Sequence, residues 1–444
     1  MSDQRIKLPP SPPGKPITGH LSAFRNYPIQ FMLDSAEEYG PISMFKLLNK
    51  KIYFLNDPEL IRHVLQVNHK NYHKSPGYKP LRALGGMGIF TSDGELWVKQ
   101  RRLYQPAFSA KRIENYSQTV IDQTAELVED WKAKAAAGEV INGSRDMMKI
   151  TLSIISETLF STRIKYESEM WEAITYALEW ISDRALRNPF VWPEKWPTAA
   201  NQRFRNSVAV LDAVVYDLIE QRKSDPNPPE DLLQRFMDPD GDLEGFDAKA
   251  LRDEVMTIFL AGHETSANVL MWALYEIARR PEIQTKMQAE IDAIGKTQLA
   301  YADIRYLTYV SHVLSEVMRL YPPVWHLGRQ NLSDDQLGDY PLPAGSHVRI
   351  SPLVIHRNAK YWDNPNTFNP DRFEKEPEPF TFIPFGSGPR LCAGRNFAMM
   401  EMVLILAGIL QQFTISSANE KDLEIAPLMT LRPDGDVRVR VVGR

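Results

Sequence analysis

Phe385-Gly386-Ser387-Gly388-Pro389-Arg390-Leu391-Cys392-Ala393-Gly394 contains the only cysteine in the 444-residue chain. A lone cysteine is ordinarily an inert small hydrophobe. Here two glycines and a proline precede it and demand a tight, irregular loop. A helix-like run follows, from Asn396 to Gln412, so the sulfur is expected just ahead of a helix N-terminus. Unpaired backbone N–H groups and the helix dipole at such a place favour a thiolate over a thiol.

Upstream, the longest helix signal runs from Asp247 to Arg280 and stops at Pro281. It has no internal proline and would span roughly 50 Å, enough to cross a domain. Its middle reads Ala261-Gly262-His263-Glu264-Thr265-Ser266, polar residues in an otherwise apolar helix. Gly262 costs about 1 kcal/mol relative to alanine in a helix interior. A small residue there lets a flat group approach the backbone, and a local distortion can admit water. A hydroxyl beside a carboxylate can relay protons. The zinc-protease pattern is excluded, because Ala267 stands where a second histidine would be needed.

Glu316 and Arg319 share one face of a helix that ends before Pro322-Pro323. Trp97 and Arg101 likewise put an indole N–H and a guanidinium on one face. Gly386-Ser387-Gly388 is not a nucleotide loop, since Leu391 takes the third glycine's place. The nine histidines show no metal-ligand spacing.

The composition is that of a globular protein, with 43% hydrophobic and 24% charged residues and a formal net charge of −4. Mild acidity gives no footprint for nucleic acid. One cysteine excludes an internal disulfide and any multi-cysteine metal site. No stretch reaches the roughly 18–20 apolar residues needed to cross a bilayer, and the N-terminus lacks a signal-peptide core. Strand-like runs cluster at Ile42–Leu47, Ile52–Leu55, His347–Ile350 and Asp436–Val442. Between about 93 and 320 the pattern is mostly helical, with runs at Ile113–Ala137, Met147–Phe160, Met170–Arg184, Gln202–Gln221 and Val310–Tyr321. The expectation is one α+β unit whose termini meet in small sheets.

The cysteine string resembles the haem-ligand loop of the cytochrome P-450 family, Phe-x-x-Gly-x-Arg-x-Cys-x-Gly, at all five fixed positions. Ala261-Gly262-His263-Glu264-Thr265 resembles the family's oxygen-activating motif, and Glu316-x-x-Arg319 its Glu-x-x-Arg hallmark. Pro370-Asp371-Arg372-Phe373 departs from the usual Pro-Glu-Arg-Phe but keeps Arg372 as the third partner. With Trp97-x-x-x-Arg101, which resembles the family's Trp-x-x-x-Arg pair, five motifs fall in the family's order along nearly the whole chain.

The resemblance implies a mainly α (α+β) fold, the cytochrome P-450 fold, with a long central helix and small peripheral β-sheets. It implies a proline-rich arm over residues 1–20 and a single haem-thiolate monooxygenase domain over residues 21–444. Cys392 would ligate the iron of haem b, pushing electron density toward O–O cleavage. Trp97, Arg101 and Arg390 would bind the propionates, with Arg329 and Lys74 as further candidates, and Phe385, Gly394 and Ala261 would touch the haem. Thr265 and Glu264 would carry the proton relay, while Glu316, Arg319 and Arg372 would be structural. Pocket walls would come from Tyr78, Leu81, Leu84, Arg187–Trp192, Leu260, Ala261, Val324–Leu327, Leu428 and Met429, with His326 among them; His356 looks structural.

The implied reaction inserts one atom of O2 into a lipophilic substrate such as a fatty acid or terpenoid. Electrons would come from NAD(P)H through a separate ferredoxin or flavodoxin with its reductase. That partner would dock on a basic cluster of Lys99, Arg101, Arg102, Lys111 and Arg112. Microsomal members carry a similar proline-rich segment after a membrane anchor. The expectation here is a cytoplasmic monomer without an integral membrane anchor. The alternatives are a haem-thiolate peroxygenase, isomerase or dehydratase, against which the intact Glu264-Thr265 pair argues, and a haem gas sensor.

Overall fold

The computed structural model describes residues 7–164, 168–184, 192–238 and 246–444. Its axis is a helix from Ala248 to Ala278, capped by Asp247, whose carboxylate accepts the Ala250 amide at 2.7 Å. Pro281 opens the next helix at its first turn, where a missing N–H costs nothing. The central helix buries residues around its whole circumference, as befits a helix that other helices enclose. The Gly143–Phe160 helix packs along it, and the Ala110–Ala136 and Arg395–Gln412 helices pair beside it.

Strands from the two ends of the chain build one five-stranded sheet. In spatial order they are Ile42–Leu47, Lys50–Leu55, His347–Ile350, Leu327–Asn331 and Tyr72–Lys74. Lys50–Leu55 pairs parallel to His347–Ile350, with Ile52 opposite His347; the other pairings are antiparallel. A second sheet joins Ile141–Asn142 and Phe413–Ser417 to Arg438–Gly443. The expected helices all form, with ends displaced by a few residues.

The proline-rich arm lies against this scaffold from residue 7 onward. Pro10 accepts the Met44 amide at 2.8 Å. Gly19 (φ +60°) presses on the Lys46 carbonyl, which a Cβ would approach to 2.1 Å. Among the described residues no helix is long and apolar enough to cross a membrane.

Behind the cysteine loop sits an ion cluster whose Glu316–Arg319 pair is fully buried, with Arg372 at its partly exposed edge. Arg319 donates to both oxygens of Glu316, at 2.6 and 2.8 Å, and Arg372 donates to Oε1 at 3.1 Å. The remaining Arg319 donors reach the carbonyls of His356 (2.8 Å), Pro365 (2.7 Å) and Thr367 (3.2 Å). The His356 imidazole in turn accepts the Ile383 amide at 2.8 Å, two residues before Phe385. Burial, with Arg319 beside it, pushes His356 down to about 3, so the ring is neutral and free to accept. The cluster fixes the stem from which the cysteine loop departs.

Candidate active site

A cavity of about 360 Å³ lies between the central helix and the cysteine loop. One wall is the loop itself. Gly386 (φ 72°) and Gly388 (φ 68°) take the left-handed conformation. A Cβ on Gly388 would meet the Leu65 carbonyl at 1.9 Å, so only glycine fits there. The Cys392 amide donates back to the Phe385 carbonyl at 3.0 Å and closes the turn. Cys392 is deep in the protein, yet its side chain opens into the cavity. Gly394 caps the helix that follows, which begins at Arg395.

Burial pushes the Cys392 thiol above its ordinary value, while the Gly394 amide and the Arg101 charge pull it down. Burial therefore opposes the thiolate that the Gly394 amide at the helix N-terminus and the Arg101 charge favour.

The opposite wall is the middle of the central helix. Ala261 faces the cavity, and Thr265 lies one turn further on, its hydroxyl donating to the Ala261 carbonyl at 2.8 Å. The helix runs unbroken from Ala248 to Ala278 through Gly262. Glycine is required because Ile155 lies against it, 2.8 Å from where a Cβ would stand. Glu264 is buried and accepts from the Thr430 hydroxyl at 2.7 Å. Burial raises its carboxyl, against which Arg432 and Thr430 pull it down. His263 faces away: its Nδ1 meets the Phe259 carbonyl, and burial lowers it to about 4.

Four cations line the cavity: Lys74, Arg101, Arg329 and Arg390. Lys74 and Arg329 stand opposite each other across an antiparallel pair, an arrangement that costs energy for like charges. Burial first, and then Arg390 and Arg329, push Lys74 well below the lysine range. Arg390 is lowered to about 10, chiefly by burial, although it pairs with Asp93; its guanidinium stacks on Trp97 at 4.4 Å. The rest of the lining is mostly apolar.

This donor set fits haem. The Cys392 sulfur would ligate the iron, and the four cations would suit two propionates. The single cysteine also excludes the paired thioether attachment of a c-type haem. Among the described residues no three His, Cys, Asp or Glu side chains are grouped to hold a bare metal ion.

Of the expected walls, Tyr78, Leu81, Leu260, Ala261, Val324, His326, Leu327 and Met429 line the cavity, as do Trp97, Phe385 and Gly394. Leu84 and Leu428 do not. Leu84 is fully buried and its carbonyl accepts from Arg252 at 2.5 Å; the Leu428 carbonyl accepts from the indole of Trp325 at 2.8 Å, which removes that tryptophan from the lining too. Residues 187–191 fall outside the described residues. Trp192 is exposed and stacks on Trp196 at 4.7 Å. Unforeseen lining comes from Ile89, Phe90, Ile155, Leu159, Thr257 and Thr430. In sequence, apolar members of that set look like any core residue.

A family model described as Cytochrome P450 matches residues 9–438. Cyclooctatin synthase of Streptomyces melanosporofaciens is 32% identical over 432 residues, 95% of this chain and 93% of that protein. Pentalenene oxygenase of Streptomyces avermitilis is 30% identical over 100% of this chain and 99% of its own length. Cyclooctat-9-en-7-ol 5-monooxygenase of Streptomyces melanosporofaciens is 31% identical over 91% of this chain and 89% of its own length.

Proposed function

We infer a substrate class and a division of labour from one premise: the chain belongs to the cytochrome P450 family. It is an oxidoreductase, a haem monooxygenase that works with a redox partner. We propose that it hydroxylates a cyclic terpenoid, bound in the apolar space between Tyr78, Leu260, Val324 and Met429. Two observations support this: the mostly apolar lining, and relatives named for oxygenating pentalenene and cyclooctat-9-en-7-ol.

The observation that carries the mechanism is the placement of Cys392 and the Ala261–Thr265 face in one cavity. Haem b, when bound, supplies O2 binding and O–O cleavage driven by two electrons. Cys392 would hold it through the sulfur, and Lys74, Trp97, Arg101, Arg329 and Arg390 would hold its carboxylates. Glu264 would pass a proton on, its carboxyl raised by burial against the pull of Arg432 and Thr430. Thr265 would orient the last step of the proton's path with its hydroxyl. The apolar walls exclude bulk water and keep the substrate over the reacting centre.

Electrons enter, in this reading, from an acidic ferredoxin or flavodoxin. Lys99, Arg102 and Lys111 are exposed, and Phe108 of the same segment lies 3.5 Å from where a Cβ on Gly394 would stand, on the cysteine side. Arg112 is already paired with Glu230 at 3.5 Å and Arg101 turns inward to the cavity, so both leave the docking set.

The test is spectroscopic. The reduced carbon-monoxide complex should show the red-shifted Soret band of thiolate ligation, and Cys392→Ser should lose it. A panel of cyclic terpenes and fatty acids, scored by the haem absorbance shift, should favour the terpenes. A fatty-acid preference would overturn the substrate class and leave the enzyme class standing.

A further inference from the structure

Residues 85–92 form one wall of the cavity. Met87 is exposed on its outer side, while Ile89 and Thr91 line the cavity on its inner side. Only Ile89 of this segment packs on the main hydrophobic core, so its hydrogen bonds contribute much to where it lies. Some close turns within the segment, as where the Thr91 and Ser92 amides donate to the Gly88 carbonyl, and two others run to consecutive residues of the central helix. The Met87 amide donates to Asp253 Oδ2 at 3.0 Å, and the Ile89 amide donates to Glu254 Oε2 at 3.2 Å. Arg252 takes the Leu84 carbonyl at 2.5 Å and reaches across to Asp212 at 2.7 Å on the Ala199–Lys223 helix. Tyr104 donates to the same Glu254 oxygen at 2.7 Å, and Gln100 donates to the Met87 carbonyl at 2.7 Å.

Two glycines make the approach possible. A Cβ on Gly86 would stand 1.9 Å from the Asp253 carboxylate, and one on Gly88 would stand 2.1 Å from the Thr257 hydroxyl. The backbone is pressed against the helix where two carboxylates meet it. Glu254 itself is fully buried, and its Oε1 has no hydrogen-bond partner among the described residues. A buried carboxylate is costly, so its retention needs a task that a smaller residue would not perform.

We propose that Asp253 and Glu254 are positioning residues that clasp the 85–92 segment to the central helix and thereby set the size limit of the substrate that the cavity admits. Neither residue lines the cavity. Selectivity is then encoded one turn away from Thr257 and Ile258, which do. The proposal rests on the reading of this cavity as the substrate chamber.

Hydrogen exchange and ligand titration together test it. In Glu254→Ala, amide exchange in peptides covering residues 85–92 should rise about tenfold, the effect of losing about 1.4 kcal/mol of local stability. Glu254→Gln, which keeps an acceptor, should restore most of the protection. With haem bound, the variant should bind a phenyl-substituted imidazole, which fills the cavity, with an altered dissociation constant. Plain imidazole, which needs only the iron, should bind as in the parent. Should Glu254→Ala not accumulate, Gly88→Ala pushes the same segment off the helix without removing a carboxylate, and should give the same pattern. Exchange within twofold of the parent in both variants would overturn the proposal. So would equal changes for both imidazoles, which would place the effect at the haem. A protein that takes up no haem would instead overturn the chamber reading, while the exchange measurement would still decide the clasp.

Discussion

Lys74 and Arg329 face each other in register between the Tyr72–Lys74 and Leu327–Asn331 strands, two cations at the edge of an apolar cavity. The backbone amide of Lys74 donates to Asp93, but that carboxylate is also engaged by Arg390. The protein carries an electrostatic cost here that a dianionic ligand would relieve.

Removing one of these cations should therefore act with opposite signs on two measurements. Lys74→Met should stabilise the haem-free protein in denaturant titration and weaken haem retention through gel filtration. Arg101→Ala should lower haem retention too, by an effect of about 1–3 kcal/mol. A Lys74→Met protein that loses stability with haem absent would count against the uncompensated charge.

Thr265→Ala should uncouple turnover and leave substrate affinity within about tenfold, since the substrate contacts are mostly apolar. The ratio of product formed to NADPH consumed should fall while hydrogen peroxide rises. The Ala261 carbonyl, freed of its 2.8 Å partner, would be left to cavity water. An unchanged ratio would reduce Thr265 to a helix residue that satisfies its own backbone.

Glu401 is fully buried, and burial raises its carboxyl to about 8. A carboxyl raised in the folded state stabilises it below the unfolded value, near 4.5, and loses that contribution as pH rises through about 8. Glu401→Gln has no such loss. The variant should be about as stable as the parent near pH 5 and more stable above pH 8, in paired denaturation curves. A stability difference that does not grow with pH would show that the carboxyl is ionised throughout.

Electron delivery should be slowed by salt. Raising ionic strength from about 50 to about 500 mM shortens the screening length to a few Å, and the first electron from an acidic donor should arrive more slowly. Lys99→Glu should mimic the effect at low salt. Stopped-flow reduction rates indifferent to both would remove the Lys99, Arg102 and Lys111 face as the docking site.

The two working walls of the cavity were legible because each is a continuous stretch of chain. Cys392 and Gly388 lie within one ten-residue loop, and Ala261 and Thr265 are one helical turn apart, so spacing conveys their geometry. The Glu316–Arg319 pair was legible for the same reason, though its link through His356 to Ile383 was not. What stayed hidden depends on which segments lie across one another. Leu81 lines the cavity while Leu84, one turn on, is buried behind it; nothing in the two leucines says so. Gly262 was conspicuous in sequence, but the reason for it, the side chain of Ile155, sits more than a hundred positions away.

The order of strands in the five-stranded sheet has a consequence for the chain as it is made. Three of its strands are complete by Lys74, yet the Lys50–Leu55 strand finds its parallel partner only at His347–Ile350. The Tyr72–Lys74 strand likewise waits for Leu327–Asn331. During synthesis at about 5–20 residues per second, these edges stay open for tens of seconds while the helices between them emerge. The helical body must then gather before the sheet can close, and closure brings Lys74 against Arg329. One long-range joint of the fold and the charged cluster are thus the same place. Chains halted short of residue 347 should expose unpaired strand edges to chaperones, and the cation cluster would not yet exist to capture its ligand.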